Sequence, residues 1–408
     1  MKVVFFHPDF ILVMKVVFFH PDLGIGGAER LIIDAALALQ LRGYSVNIMT
    51  NHHSGKHCFD ETRNGTLPVE VHFDWVPRSL FGFFHAIFAY IRMILLAFYF
   101  LFKSSKENVI ICDQIAACVP VLKMSGLPVL FYCHFPDLLL TTRESFLKRI
   151  YRIPLDYLEE YGTRSADKIL VNSEYTAQVV KDTFTSIKSK PIHVLHPTLN
   201  TLNFDNAQSE SVALPSGIEY LFISINRYER KKQISLAIEA FAGLHKQLTD
   251  DLWDKCHLVI AGGYDNRVQE NVSYLKELKT LSITLDVQKK VTFLKSTSFQ
   301  SNIWLMQKAT ALLYTPSFEH FGIVPLEAMY MQLPVIAVKN GGPKETVVDG
   351  YTGFLCNPSA EDFSTSMLLF IRNSMLRTKF GVNGREWVNE KFSFDKFTSK
   401  LVSYVDSL

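Results

Sequence analysis

ATALLYTPSFEHFGIVPLEAMYMQLPVIAV, residues 309–338, falls into four pieces. ALLY is an apolar run of strand length, Pro316 and Ser317 break it, LEAMYM carries apolar residues at helical spacing, and LPVIAV is a second apolar run. Strand, loop, helix and strand in succession read as one unit of a parallel sheet with its crossover helix. Glu319 and Glu327 stand eight positions apart across a glycine-containing turn, so both carboxylates fall near the carboxyl end of the first strand. Ligands of open parallel sheets collect there, and backbone N–H groups ahead of a helix suit an anionic or polyhydroxyl ligand. The block therefore reads as a sugar-nucleotide site.

The same alternation extends in both directions. KVVFF, YSVNIMT, NVIIC, PVLFYC and KILVNS are strand-like runs spaced to leave room for helices, the first of which is AERLIIDAALALQLRG. After a polar stretch at residues 200–217, EYLFISI, CHLVIAGG, KVTFL, ATALLY and LPVIAV repeat the pattern. The expected fold class is α/β: two Rossmann-like, doubly wound domains facing a cleft. The expected limits are 14–199 for the first domain, 200–217 for a structureless linker, 218–380 for the second domain, and 381–408 for a terminal helical segment packing back on the first.

Size and charge agree with that division. A chain of 408 residues, 48% hydrophobic, exceeds the usual single core, and a net charge of +2 gives no electrostatic case for nucleic acid. The six cysteines (Cys58, Cys112, Cys118, Cys133, Cys256, Cys356) show neither CxxC pairs nor metal-like spacing against histidine, and read as reduced core residues on the cytosolic side. Sequons at Asn64 and Asn271 would stay unmodified there. MKVVFFHPD occurs at residues 1–9 and again at 14–22. Two adjacent parallel strands need a crossover of a dozen residues or more, which FILV cannot supply, so residues 1–13 read as a surplus copy.

Residues 80–102, LFGFFHAIFAYIRMILLAFYFLF, are long and apolar enough to span a bilayer, interrupted only by His85 and Arg92. A crossing would put strands of one sheet on opposite sides of the membrane. The segment is instead expected to enter one leaflet from the rim of the first domain, with Arg92 reaching up to the headgroups. A buried core helix is the alternative.

Three further groups of residues carry chemistry. In HPDLGIGGAER, Gly24, Gly26 and Gly27 allow close backbone approach at a helix start, either for a phosphate or for a tight turn. In SINRYERKK, Arg227, Arg230, Lys231 and Lys232 crowd the entry to a helix, where cations are unfavourable unless an anion sits among them. A diphosphate held by Arg227 and Lys232 would resolve the conflict. His134 closes the strand run PVLFYC and is either a structural hydrogen-bonding group or an active-site residue. GGPKET, residues 341–346, adds a glycine turn after LPVIAV. The carboxylate pair alone also fits glycoside hydrolysis, although a hydrolase has no leaving diphosphate to neutralise. No Asp-x-Asp metal clamp is present, so no metal or other cofactor is expected at the transfer site.

With these residues on the page, EHFGIVPLE resembles the Glu-x7-Glu signature of family 4 retaining glycosyltransferases of the GT-B type. HPDLGIGGAERL, CDQIAAC, FYCHFPDLLL, SINRYERKK and VIAGGYDNRV extend the likeness to the mannosyltransferases of asparagine-linked glycosylation that add α1,3- and α1,6-mannose, over nearly all of the chain from Met14. The resemblance implies GDP-mannose as donor, a dolichyl-diphosphate-linked mannosylated chitobiose as acceptor, and the cytosolic face of the endoplasmic reticulum membrane as location. Neighbouring mannosyltransferases would be further partners. By the same likeness Glu319 contacts the donor sugar, Glu327 the ribose, and Arg227 with Lys232 the diphosphate. Backbone groups of Phe321, Gly322 and Ile323 hold sugar and phosphate, Gly26 and Gly27 complete the phosphate cradle, and His134 lines the active site. A soluble glycosyltransferase or epimerase of the same fold, and a non-catalytic membrane scaffold, are the competing readings.

Overall fold

A computed structural model describes residues 13–80, 83–103, 107–141 and 145–408. The surplus copy read at residues 1–13 lies outside them but for Val13. The chain divides into two compact units, one running to Asn172 and taking in residues 176–195 and 397–408, the other comprising 173–175 and 196–396.

The first unit is a seven-stranded sheet built from β1 (Lys15–Leu23), β2 (Ser45–His53), β3 (Val69–Val71), β4 (Val109–Asp113), β5 (Val129–Cys133), β6 (Lys168–Val171) and β7 (Ile192–Val194). Its spatial order is β3-β2-β1-β4-β5-β6-β7, and every pairing is parallel. The chain winds one way from β1 and then returns to wind the other way from β4. The direction of winding therefore reverses between β1 and β4, and their carboxyl ends part there to leave room for a ligand. β4 and β5 are buried throughout, as helices on both faces require.

The second unit repeats the design with β8 (Tyr220–Ile225), β9 (Cys256–Gly262), β10 (Val291–Lys295), β11 (Ala311–Tyr314), β12 (Val335–Val338) and β13 (Gly353–Cys356). The order is β10-β9-β8-β11-β12-β13, again parallel, with the reversal between β8 and β11. Two doubly wound α/β units are thus present. All six cysteines are buried and free.

Three expectations change. Residues 200–217 are not structureless: the helix Thr201–Asp205 buries Phe204 in the core beside Leu221 and Ile223. The helix His85–Phe102 turns Tyr90, Met93, Leu96, Ala97 and Phe100 into the first unit's core, where Phe100 meets Phe19 edge-on at 5.3 Å. Arg92 does not reach outward. Its side chain is 4% exposed, pairs with Asp22 at 3.1 Å and Asp74 at 3.7 Å, and donates to the Asn51 carbonyl at 3.0 Å. Two carboxylates on the protein side offer this guanidinium a fixed, partly dehydrated partner, which wins over solvent. Ile91, Phe98 and Phe102 remain exposed on the helix's other side.

Candidate functional site

In the second unit the loop after β8 is tightly held. The Tyr228 hydroxyl donates to the carbonyls of Ile260 (3.1 Å) and Leu294 (2.8 Å), and Asn271 Nδ2 donates to the Tyr228 carbonyl at 3.0 Å. The Thr315 hydroxyl donates to the Lys232 carbonyl at 2.7 Å, and Gln233 takes a left-handed φ of 49° to enter the helix Ile234–His245. Lys232 is thereby aimed across the reversal point at the loop that follows β11. There its ammonium pairs with Glu319, to which the Tyr314 hydroxyl is also bonded. Burial pushes the Glu319 carboxyl up, but the Lys232 charge and the hydrogen bonds from Lys232 and Tyr314 outweigh it, so the group stays ionised below the usual carboxylate range.

Glycines set the backbone of this loop. Gly322 enters the helix Ile323–Tyr330 at φ 86°, where a side chain would be strained. Gly341 at φ 61° packs so closely that a Cβ would lie 2.5 Å from the Glu319 carbonyl, and the Gly342 N–H donates to that carbonyl at 2.8 Å. The turn at 341–346 is thus a backbone brace for Glu319. Phe321 is buried and stacks on His196 at 5.6 Å, leaving only backbone groups of 321–323 for a ligand.

Glu327 sits one helical turn further on, half-buried by its own surface but densely surrounded. No side-chain partner faces it among the described residues, and burial raises it to about 7. A carboxylate without a partner in such surroundings is a ready acceptor for hydroxyl groups.

The basic cluster is less exposed to unmet charge than its sequence implies. Glu229 lies 3.2 Å from Arg227 and 3.0 Å from Lys231, and Arg230 pairs with Glu277. Carboxylates of the same unit therefore relieve part of the repulsion assigned to an absent anion. Arg227 nevertheless keeps 64% of its side chain in solvent, and an exposed ion pair is weak enough to exchange for a phosphate.

The first unit gathers a different set. His20 near the end of β1, Asp113 at the end of β4 and His134 just after β5 come together because these three strands are neighbours. Asp113 Oδ1 lies 2.8 Å from His20 Nδ1, and Oδ2 lies 2.9 Å from His134 Nε2. The His134 carbonyl accepts from Asn172 Nδ2 at 3.0 Å, and its ring packs on Tyr132. The loop beyond is pinned by Glu159, whose carboxylate accepts from the N–H groups of Asp137 (2.5 Å) and Leu138 (3.0 Å).

The glycine loop supports this cluster. A Cβ on Gly26 would overlap the Glu29 carboxylate, which lies 3.8 Å from His20 Nε2. Gly27 begins the helix Gly27–Leu41, and nothing crowds it. Glu29 thus puts a carboxylate at a helix start that the sequence suggested for a ligand anion. Sequence reasoning missed Asp113 and Tyr314, each a polar group ending an apolar strand run.

Comparison with known proteins decides the family. "Glycosyltransferase Family 4" matches residues 25–201 and "Glycosyl transferases group 1" matches 207–387. "Alpha-1,3/1,6-mannosyltransferase ALG2" of Homo sapiens is 52% identical over 414 residues, covering 100% of this chain and 96% of that one. The chain belongs to the alpha-1,3/1,6-mannosyltransferase family. The family member of the same name from Dictyostelium discoideum is 44% identical over 427 residues, covering 100% and 98%. Two parallel-sheet, Rossmann-like domains in one chain are the fold class of the GT-B glycosyltransferases. Among solved structures, sucrose-phosphate synthase from Thermosynechococcus elongatus superposes with a TM-score of 0.74 at 16% identity, covering 97% of this chain and 98% of that one. Membership makes the chain a glycosyltransferase.

Proposed function

We propose that the chain transfers mannose from GDP-mannose to a dolichyl-diphosphate-linked mannosylated chitobiose, forming α1,3 and α1,6 linkages with retention. The observation that carries the reading is the Lys232–Glu319–Tyr314 cluster braced at the reversal point of the second sheet. Glu319 orients the donor hexose, and the Glu327 carboxyl, raised by burial, accepts from the ribose hydroxyls. Arg227 and Lys232 draw off the charge that grows on the leaving diphosphate, the kind of fixed electrostatic help that strengthens only as the bond breaks. Backbone N–H groups at 321–323, ahead of the helix, add to it. In this reading the acceptor hydroxyl attacks from the face that the diphosphate leaves, and a diphosphate oxygen takes its proton. His134, with Gly26 and Gly27, serves the sugar on the first unit. The reaction so written routes no step through a metal.

We also assign the chain to the cytosolic face of the endoplasmic reticulum membrane, resting on the leaflet that holds the acceptor. Support comes from an apolar stripe on the helix Phe146–Ser165, where Phe146, Ile150, Ile153, Tyr157 and Tyr161 are all exposed while Arg152, Leu155 and Glu159 face inward. Lys148 and Arg149 flank the stripe, as anionic headgroups would require. Phe102, 87% exposed, ends the other apolar helix of this unit. Purified protein incubated with GDP-mannose or a UDP-sugar and the lipid-linked acceptor, followed by linkage determination, tests the assignment. Transfer from UDP-sugars alone, or a product without α1,3 and α1,6 mannose, would refute it.

A further inference from the structure

Asp113 is wholly buried, yet it spends both carboxylate oxygens on histidines from the two flanking strands. An ionised carboxylate only accepts, so the ring nitrogen facing each oxygen must carry a proton. On His20 that nitrogen is Nδ1. On His134 it is Nε2, which leaves Nδ1 as the nitrogen that Asp113 does not engage. His20 is fully buried, and its far nitrogen lies 3.8 Å from Glu29 without a hydrogen bond. Burial opposes the charge on His20, but Asp113 and Glu29 overcome it and raise the group to about 10, so it remains an imidazolium that balances the Asp113 charge. Burial likewise opposes ionisation of Asp113, and the two histidines hold it below the usual range. Glu29, His20, Asp113 and His134 thus stand in one line, whose middle members His20 and Asp113 are closed to solvent while His134 keeps 23% of its side chain exposed at one end and Glu29 21% at the other. The backbone after Asp113 is shaped to match. Gln114 takes a left-handed φ of 58°, and Cβ-free Gly162 lets the helix Phe146–Ser165 close on Ala116. A left-handed non-glycine residue is held only where its surroundings demand it.

We infer that Asp113, backed by His20, is a positioning residue that locks His134 in the Nε2–H tautomer and presents Nδ1 to the sugar. The inference rests on the reading of His134 given above. Neither Asp113 nor His20 touches substrate in this scheme; each acts through His134.

Asp113→Asn tests it, because the amide keeps the shape but donates where the carboxylate accepted, forcing one histidine into the other tautomer. kcat is expected to fall by about 10- to 100-fold with the KM for GDP-mannose changed less than about threefold. Nitrogen-15 spectra of labelled histidine should move the His134 proton from Nε2 to Nδ1. In a His134→Gln background, Asp113→Asn should add little, since both changes remove the same function. Should Asp113→Asn leave an unstable protein with an unpaired His20, the double variant His20→Gln/Asp113→Asn removes that charge and is measured instead. An unchanged tautomer, or a full additional loss in the His134→Gln background, overturns the inference. Full activity of His134→Gln itself sinks the reading of His134 and leaves Asp113 with nothing to position.

Discussion

The two sheets reverse direction in the same way, yet their reversal points hold opposite kinds of chemistry. In the first unit a buried carboxylate is satisfied twice by histidines, so the cluster is electrically closed and only one imidazole emerges. In the second, Lys232 and Glu319 satisfy each other, Arg227 is held only by an exposed pair with Glu229, and Glu327 has no side-chain partner among the described residues, so the cluster is open to an incoming anion and its hydroxyl groups. One fold supports both because the loops beyond the strands, and not the strands, choose the charges. A closed cluster orients; an open one binds.

The contrast breaks most sharply at Lys232. Lys232→Ala should lower kcat by about 10²- to 10³-fold, as removal of a fixed charge beside a leaving group does, with little change in the KM for acceptor. Initial rates over both substrates decide it, and an effect confined to acceptor binding would remove the second site from the leaving group.

Next in size is the membrane contact. Replacing Leu147, Ile150 and Ile153 by serine removes three exposed apolar groups and should weaken binding to vesicles containing anionic lipid by at least about tenfold, without a change in Tm. Phe98, Tyr99 and Phe102 replaced together make the parallel test of the other helix. Unaltered sedimentation of both variants would mean that neither face meets the leaflet.

Glu327 sharpens the description of the second cluster through pH. Its folded value, about 7, lies above the ordinary carboxyl range, so folding favours the protonated form and stability is lost as pH rises from that range through 7. Glu327→Gln should therefore be more stable than the parent at pH 8, by about 1–3 kcal/mol on chemical denaturation. Ribose hydroxyls favour the ionised form, so GDP should bind up to about tenfold tighter at pH 8 than at pH 6 by calorimetry. A pH-independent affinity, or one that weakens, removes Glu327 from the ribose.

Smaller still is the effect of the glycine brace. Gly341→Ala meets both a left-handed φ and the Glu319 carbonyl, and should lower stability by about 2 kcal/mol and depress turnover. Gly350→Ala, at φ 71° in open space, should lower stability by about 1 kcal/mol with turnover intact. Equal turnover in the two variants would show that the brace does not matter to Glu319. At the bottom of the scale, chelation by EDTA should leave turnover unchanged if Arg227 and Lys232 carry the diphosphate alone.

How much of this could be read from the chain alone follows from the range of each interaction. Apolar runs broken by glycine and helical spacing are local, so the alternation of strand and helix, the turn between Glu319 and Glu327, and the crowding of Arg227 to Lys232 were visible in consecutive letters. Asp113 was not, because nothing in CDQIAAC says that β4 will lie beside β1; the bond to His20 joins residues 93 positions apart. The partners of Arg92 were hidden for the same reason. Apolar composition set the helix, while Asp22 and Asp74, supplied from elsewhere in the unit, turned its single cation inward.

The sequence by itself determined two parallel α/β units and where along the chain their polar loops fall, since hydrophobic period and backbone freedom are properties of neighbouring residues. Only the tertiary structure decided which charges are satisfied within the protein and which are left for a ligand, because strand order brings distant side chains within reach, and electrostatic pairing depends on distance and burial rather than on position in the chain.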